Sequence, residues 1–591
     1  SAEAAFTQAE AALPPGSWPL LRSTRYMPGL SGGASAVSAL EAGRHIAKAG
    51  PALVDVADGV HSSRRAYETG GTVSLLAFFA DLKEPLALAR TELGAAEEAL
   101  RSVALDDVPV EKQAHFLRAK EQLPALLGMM DSLESHETIL AELLGQNGPR
   151  KYLFLLQNNH ELRPTGGFIG TYALLSVNDG IVKQFFVDGI FNPDGQLREN
   201  IVPPKPLQKV SAGWSLHDSN WFADFPTSAE KAIFFYEKTG GPTVDGVITL
   251  TPTVMQKLLK LTGPIELPQY GLTVDSENFI PVIQEQVEEK YDKEENKPKQ
   301  VLADLSTLLL ERVFSLKDER MLYGMAEALI QGLNEKHILL YSRNAQAEKL
   351  IDKAGWSGRL QETDKDFLSV VHSNVNGYKT DGVIDETIRH RGEIAEDGSV
   401  IDTVTITRVH KGGHTPYDWW NKVNADYLRV YVPEGSELLS AKGMTWEFPE
   451  APLDYARLGF RKDSLVEELE AGERIDEATG TRIGRESGKT VFGNWVYVSP
   501  QESVTVEYRY RLPFKVKRGG TADGAGAYSV IYQKQAGSPG SIISSVIQYP
   551  AGWKPIWQTG ANLVPYEHIL KLDTDLATDK FVGVAFDVEA Q

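Results

Sequence analysis

Cysteine is absent from all 591 residues. That excludes disulfides, thiolate nucleophiles and zinc–thiolate sites, and it fits an exported bacterial protein as well as a thiol-poor cytosolic one. Positive charge is in deficit: 60 Lys and Arg stand against 80 Asp and Glu, a formal net charge of −20. A surface of that sign argues against nucleic acid and against broad contact with an anionic membrane, while a local basic pocket stays open. No apolar run reaches the roughly 18 residues that a membrane span needs. The G-x-S-x-G, H-E-x-x-H and phosphate-loop signatures do not occur either. What remains is an ordinary globular composition, 42% hydrophobic and 24% charged, in a chain long enough for about two to four domains. The opening "SAEAAFTQAEAALPP" reads as the end of a longer helix, which predicts a membrane anchor removed upstream.

Residues 1 to about 147 read as helical, with apolar residues three and four apart in "LALARTELGAAEEALRSVAL" and "KQAHFLRAKEQLPALLGMMDSLESHETILAELLG". "LPPG" and "YMPGLSGG" are breakers, and "GQNGPR" at 145–150 is a helix stop. Strands and helices then alternate. "RKYLFLLQ" predicts a buried strand, and "TYALLSVNDGIVKQFFVDG" a hairpin turning at Asn178-Asp179-Gly180. "SAEKAIFFYEKTGG" predicts an amphipathic helix capped by Thr227 or Ser228. "TPTVMQKLLKLTG" predicts one with Thr251 as N-cap and Pro252 at its first position. "EQVEEKYDKEENKPKQ" is a solvated, charged insertion, and "HILLYS" a further strand. From about residue 380 alternation of period two takes over, as in "GSVIDTVTITRVH" and "DYLRVYVPEGSELLSA". The expected architecture is multidomain α+β. A helical region spans 1–147, an α/β domain 148–379 and an antiparallel β-sandwich 380–591.

Between the first strand and the hairpin lies "NNHELRPTGGF", one Arg in a Gly-rich polar loop. Arg163 with the backbone of Gly166 and Gly167 could grip an anion through a guanidinium fork and inward N–H groups. It could equally form a tight turn in which Arg163 bonds to local carbonyls or a carboxylate. "VDGIFNPDGQLREN" offers Asp188, Asp194 and Arg198, either as Mg²⁺ and phosphate ligands or as Asx turns before Gly. "SLHDSNWFADFPTSAEKA" sets His217, Asp218, Asn220, Trp221 and Asp224 among aromatics, a mixture found at sugar and lipid-headgroup sites and also in buried loops. Asp224 acts as a general base only where a substrate hydroxyl comes within reach. His410 and His414 flank a Gly pair with no acidic partner nearby, so a strand-end loop is expected there in place of a metal site, and "YDWWNK" is read as core, with an exposed aromatic surface for glycan or membrane contact as the alternative.

The stretches "YLFLLQNNHELRPTGGFIGTYALLSVNDGIVKQFFVDGIF" and "PTSAEKAIFFYEKTGGPTVDGVITLTPTVMQKLLKLTGPIELP" resemble an uncharacterised bacterial envelope family, a domain of unknown function. Later segments carry the likeness across roughly residues 30 to 550. That family is similar, more distantly, to the LytR-CpsA-Psr phosphotransferases, which move glycopolymers from polyprenyl-pyrophosphate carriers onto peptidoglycan. The resemblance implies a LytR-CpsA-Psr-like central domain whose apolar pocket takes lipid, with Arg and Asp at its mouth holding pyrophosphate and Mg²⁺. It implies Arg163 and Asp188 as catalytic or phosphate-gripping residues, with Asp188 as the metal ligand; the residues themselves add Asn158, Asn159, Gly166, Gly167, Asp194, Arg198, Asn220, Trp221 and Asp224 as the expected surroundings of the ligand. The pattern departs from the family where Val187 replaces an Arg, where Asn158 and Asn159 replace Asp, and where Gly167 replaces an acidic residue. The late Arg-x-Arg pair is missing, with only Arg312 and Arg320 as weak substitutes. Each departure removes charge that a pyrophosphate transition state needs. The expectation is therefore an extracytoplasmic envelope protein, membrane-anchored through the removed helix. It binds a polyprenyl-phosphate glycan or peptidoglycan, with the sandwich available to a protein partner; glycopolymer transfer is the alternative.

Overall fold

The computed structural model describes residues 8, 21–24, 31–68, 74–288, 290, 300–314, 319–447, 450–516, 526–560 and 562–588. The breaker "LPPG", most of the opening segment and much of the charged insertion lie outside the described residues. Two compact units emerge. The first contains residues 1–150, 176–184 and 310–323, and the second the remainder.

In the first unit, helices α1 (Ser31–Glu68), α2 (Leu75–Arg101) and α3 (Val110–Leu143) supply the predicted helical region. Ala42 and Ala49 on α1 and Ala89 and Ala96 on α2 are buried seven residues apart, a spacing that keeps small side chains on one seam. Leu93, Leu100, Leu123, Leu127 and Met130 complete this core. Among the described residues, no helix is long and apolar enough to cross a membrane.

Strands β1 (Arg150–Asn158), β2 (Phe168–Asn178) and β3 (Ile181–Gly189) follow, mostly in the second unit, with the hairpin tip at 176–184 counted in the first. Asp179 and Gly180 sit at φ +50° and +71°, the two-residue hairpin turn that an Asp-Gly pair favours. With β4 (Gly246–Leu250) and β5 (Ile338–Ser342) they form a sheet of order β3-β2-β1-β4-β5. β1 and β4 run parallel, β4 and β5 antiparallel. Helix α4 (Phe225–Lys238) starts earlier than Thr227: its cap is Asp224, whose carboxylate accepts the Thr227 N–H at 3.3 Å. Thr251 does stand at the N-cap of Pro252–Thr262, but its hydroxyl turns to His337 Nδ1 at 2.9 Å instead of closing the helix end. Trp214, Phe222, Phe225 and Phe235 fill the interior.

The expected antiparallel sandwich is corrected on two points: its strands begin before residue 380, and its sheets are mixed, with Asp366–Val371 parallel to Gly526–Tyr532 and Ile384–Ile394 parallel to Ile542–Gln548. Strand β6 (Asp366–Val371) lies inside its eight-stranded sheet, between β9 (Asn424–Pro433) and β12 (Gly526–Tyr532), with β10 (Lys489–Val498) beyond β9. The facing seven-stranded sheet contains β7 (Ile384–Ile394), β8 (Ser399–His410), β11 (Ser503–Lys515) and β13 (Ile542–Gln548), in the order β11-β8-β7-β13. β8 shows the expected alternation of buried and half-buried residues. β9 does not: every position is buried. Leu428, Val430 and Val432 face the sandwich core, while Tyr427 packs into the core of the α/β layer. A sheet covered on both faces loses the polar, solvated side that alternation implies.

Candidate functional site

The Arg163 loop is the seam between the α/β sheet and the sandwich. Arg163 is 3% exposed. Its guanidinium donates to the carbonyls of Asn374 and Leu162, pairs with Glu161 at 3.3 Å and Asp218 at 3.6 Å, and lies over the Phe168 ring. Around it, Leu162 N–H donates to Asp381 Oδ2 at 2.8 Å, Gln535 Nε2 to the Arg163 carbonyl at 3.0 Å, and Asn159 Nδ2 to the Gly537 carbonyl at 2.9 Å. The expected open rim is thus corrected: the loop's cation is consumed by internal carboxylates and carbonyls. Gly166 and Gly167 serve contact, not an anion nest. A Cβ on Gly166 would lie 2.4 Å from Gln157 Oε1, and one on Gly167 2.1 Å from the Asn158 carbonyl oxygen. Gly167 N–H donates to Gln157 Oε1 at 2.9 Å, and Asn220 Nδ2 to the Gly167 carbonyl at 2.8 Å. Asn158 Nδ2 reaches Gln284 Oε1 at 3.1 Å.

Asp188 bonds locally, as the turn reading expects, whereas Asp194 forms no local turn and is instead tied to the loop that holds His217. Asp188 Oδ1 accepts the Gly189 N–H at 2.7 Å and the Asn192 amide at 2.6 Å. Asp194 accepts the amides of Leu216 and His217 at 2.8 and 3.2 Å. Arg198 is exposed on the following loop. His410 is a strand-end residue, as expected, with Nε2 on the Lys422 carbonyl at 2.8 Å, and His414 is exposed. Tyr417, Trp419 and Trp420 stack on one another half-buried at the surface instead of entering the core.

His217 bridges Asp194 (Nδ1, 2.7 Å) and Asp218 (Nε2, 3.0 Å). Burial works against the charged ring, but Asp218 and Asp194 outweigh it and raise His217 to about 10. Burial likewise opposes charge on Asp218, yet His217 and Arg163 hold its carboxyl below the ordinary range. Stabilisation by His217 is therefore complete below its ordinary 6.5, shrinks as pH rises and is gone above the folded value. That of Asp218 is present above 3.8 and lost on strong acidification. The thermal midpoint is expected to fall between pH 6.5 and 10, and His217→Gln to flatten that fall. His372, which Glu386 and Asp426 raise to about 10 against the effect of burial, adds to the fall, while Lys534, pushed down to about 7 by burial, opposes it in the same window. Parallel profiles for the two proteins would show that no imidazolium forms at His217.

One sequence-predicted residue does border open space. Trp221 is 6% exposed and lines a cleft of about 70 Å³ with Lys205, Tyr427, Glu470, Glu473, Arg482 and Glu486. That volume holds on the order of five water molecules, room for the edge of a sugar ring and too little for a prenyl chain. Arg429 lies 4.4 Å over the Trp221 ring, donates to its carbonyl at 2.8 Å and pairs with Glu486 at 3.1 Å. Glu486 in turn accepts the Ala223 N–H at 2.8 Å and so anchors the Trp221 loop. Tyr427 stacks on Trp221 at 5.9 Å and meets Trp495 edge-on at 5.3 Å. A shallower hollow continues past Tyr427, Gly493 and Arg482 to Trp446, which is 61% exposed. The lining cations face carboxylates: Arg482 pairs with Glu473 at 3.0 Å, Lys205 with Glu470 and Glu473 at 3.8 and 3.7 Å. The result is an aromatic, charge-compensated cleft. Only Trp221 of its lining was singled out in the sequence. Asp224 and Asn220 turn inward, to the α4 cap and to the Gly167 carbonyl.

Residues 147–287 match the model of a family described as a protein of unknown function (DUF4012). No curated protein matches the chain. Among solved structures, a Legionella pneumophila protein described as nutrient-binding aligns at 12% identity, covering 37% of this chain and 71% of its own, with a TM-score of 0.21. An M1 zinc metallopeptidase of Deinococcus radiodurans aligns at 9% identity, covering 34% of this chain and 42% of its own, with a TM-score of 0.16. At those scores neither likeness bears on activity.

Proposed function

We propose that this is a non-catalytic glycan-binding protein of the bacterial cell envelope, and that the cleft between Trp221, Tyr427 and Arg482 receives a sugar ring of peptidoglycan or of a wall glycopolymer. The observation that carries this reading is the lining itself. The exposed Trp446 ring beside the buried Trp221 and Tyr427, with paired Arg, Lys and Glu side chains around them, offers a saccharide both apolar contact and hydrogen-bond partners. A pyrophosphate asks for cations without local carboxylate partners, and Arg163, the residue assigned to that task, is already engaged with Glu161 and Asp218. The envelope setting, with the sandwich as interaction module, rests on the resemblance read from the sequence; the family model matched at residues 147–287 assigns no function of its own. The engaged Arg163 and Asp188 weigh against phosphotransfer with Mg²⁺.

Soluble peptidoglycan fragments and wall glycan are expected to quench tryptophan fluorescence saturably, and Trp446→Ala to weaken binding about tenfold, a loss of the size a stacking aromatic supplies. Saturable binding that is unchanged in Trp446→Ala and in Tyr427→Leu would place the site elsewhere. Transfer of glycan from a lipid-pyrophosphate donor to a peptidoglycan acceptor would replace the reading with an enzymatic one.

A further inference from the structure

We propose that Asp366, His390 and Asp402 form a buried site for one divalent transition-metal ion that ties the two sheets of the sandwich together. Asp366 lies on β6 of the eight-stranded sheet; His390 and Asp402 lie on β7 and β8 of the facing one. One ligand atom from each can be chosen so that all lie within 4.8 Å of one another. His390 Nε2 stands 3.5 Å from Asp402 Oδ1 and 4.0 Å from Asp366 Oδ2, separations that a single ion with ligands at about 2.0–2.2 Å can bridge after small adjustments.

Three independent features point to a cation. First, His390 is 2% exposed, and neither its Nε2 nor either oxygen of Asp402 has a hydrogen-bond partner of good geometry, although Tyr510 and Asp366 lie beside Asp402. Buried polar atoms are rarely left so. Second, the opposite ring nitrogen is already held: His390 Nδ1 lies 2.9 Å from the Tyr532 hydroxyl and 3.0 Å from Ser545 Oγ. A proton on Nδ1, donated to either oxygen, leaves the Nε2 lone pair aimed at the two carboxylates. That is the arrangement by which ligating histidines are oriented. Third, Gly392 stands opposite Asp402 in the strand register, and a Cβ there would come within 3.1 Å of Asp402 Oδ1 and 3.2 Å of the Tyr528 hydroxyl. Glycine keeps that flank of the cluster clear.

Charge gives the same answer. Two carboxylates share this dry core with a single imidazole. A divalent ion makes the set neutral. One imidazole with two carboxylates suits Zn²⁺ or Mn²⁺ better than Ca²⁺ or Mg²⁺, which favour all-oxygen shells.

The test unfolds the full chain in EDTA and refolds it in ZnCl₂, MnCl₂ or EDTA, because a core site loads as the sandwich forms. After desalting, about one equivalent of Zn²⁺ or Mn²⁺ per chain is expected, with a thermal midpoint several degrees above the EDTA-refolded protein. Asp402→Asn, which keeps shape and removes charge, is expected to fold with the same circular dichroism and retain less than a tenth of the metal. Refolding in CoCl₂ is expected to give visible ligand-field bands that this variant lacks. Wild-type chain that refolds equally well in EDTA and holds no Zn²⁺, Mn²⁺ or Co²⁺ overturns the proposal, and so does metal retained undiminished by Asp402→Asn.

Discussion

Arg408→Met is expected to lower the unfolding free energy of the sandwich-containing unit by about 3–5 kcal/mol, the range for removing one partner of a buried ion pair. Arg408 is 2% exposed. It meets Asp426 and Asn424 at 2.9 Å, Asp381 at 3.1 Å and Glu386 at 3.6 Å. His372 closes the group between Asp426 at 2.6 Å and Glu386 at 2.8 Å. Methionine fills most of the volume, so the loss measures charge instead of a cavity. Three carboxylates would be left with His372 alone. Two comparisons fix the interpretation. Arg389→Ala, on the exposed face of β7, is expected to change stability by no more than about 0.5 kcal/mol. Adding Glu386→Gln to Arg408→Met is expected to restore part of the loss, because one unpaired anion is removed. Denaturant midpoints for the four proteins decide it; a double variant no more stable than Arg408→Met would show that the cluster is not electrostatically coupled.

The order of strands and helices was legible because each rests on neighbours in the chain. Asp179-Gly180 sets its own hairpin, and β8 alternates because one of its faces meets the sandwich core. Contacts made across the chain left no such trace. Arg163 reads the same whether it faces solvent or a carbonyl 211 residues downstream, and Asn159 gives no sign that its partner lies 378 residues away. The polar residues of β9 looked like a solvated face for the same reason. Arg429 and Asp426 are buried because another layer covers them, and nothing in "ADYLRVYV" reports that cover. The cleft was half visible: Trp221 stood out as an aromatic in a polar loop, whereas Tyr427, Arg482 and Glu473 come to it only through strand pairing and the placing of a downstream helix. The Asp366, His390 and Asp402 group sits on three separate strands at spacings that match no motif, so only the packed sheets bring it together.

Arg163→Ala should separate a docking role from a catalytic one, and its expected effect is again about 3–5 kcal/mol of stability. Its truncation takes one of two cations from Asp218 and Glu161, which keep His217 and Lys379, leaves the buried Asn374 carbonyl without its guanidinium donor and empties the space under Phe168. Arg163→Lys is expected to recover only part, since one ammonium cannot reproduce the planar fork that reaches Asn374, Glu161 and Asp218 together. Hydrogen exchange locates the damage. The Leu162 amide, held by Asp381 at 2.8 Å, and the Asn374 amide, held by the Leu162 carbonyl at 2.9 Å, are expected to lose protection in Arg163→Ala, while the paired amides of β1 and β4 keep theirs. Saccharide binding at Trp221 is expected to persist below the new unfolding midpoint, because the Trp221 loop is anchored separately by Glu486 and Arg429. A variant of wild-type stability that had lost ligand binding or glycan transfer would reverse this assignment and return Arg163 to the chemistry its loop first suggested.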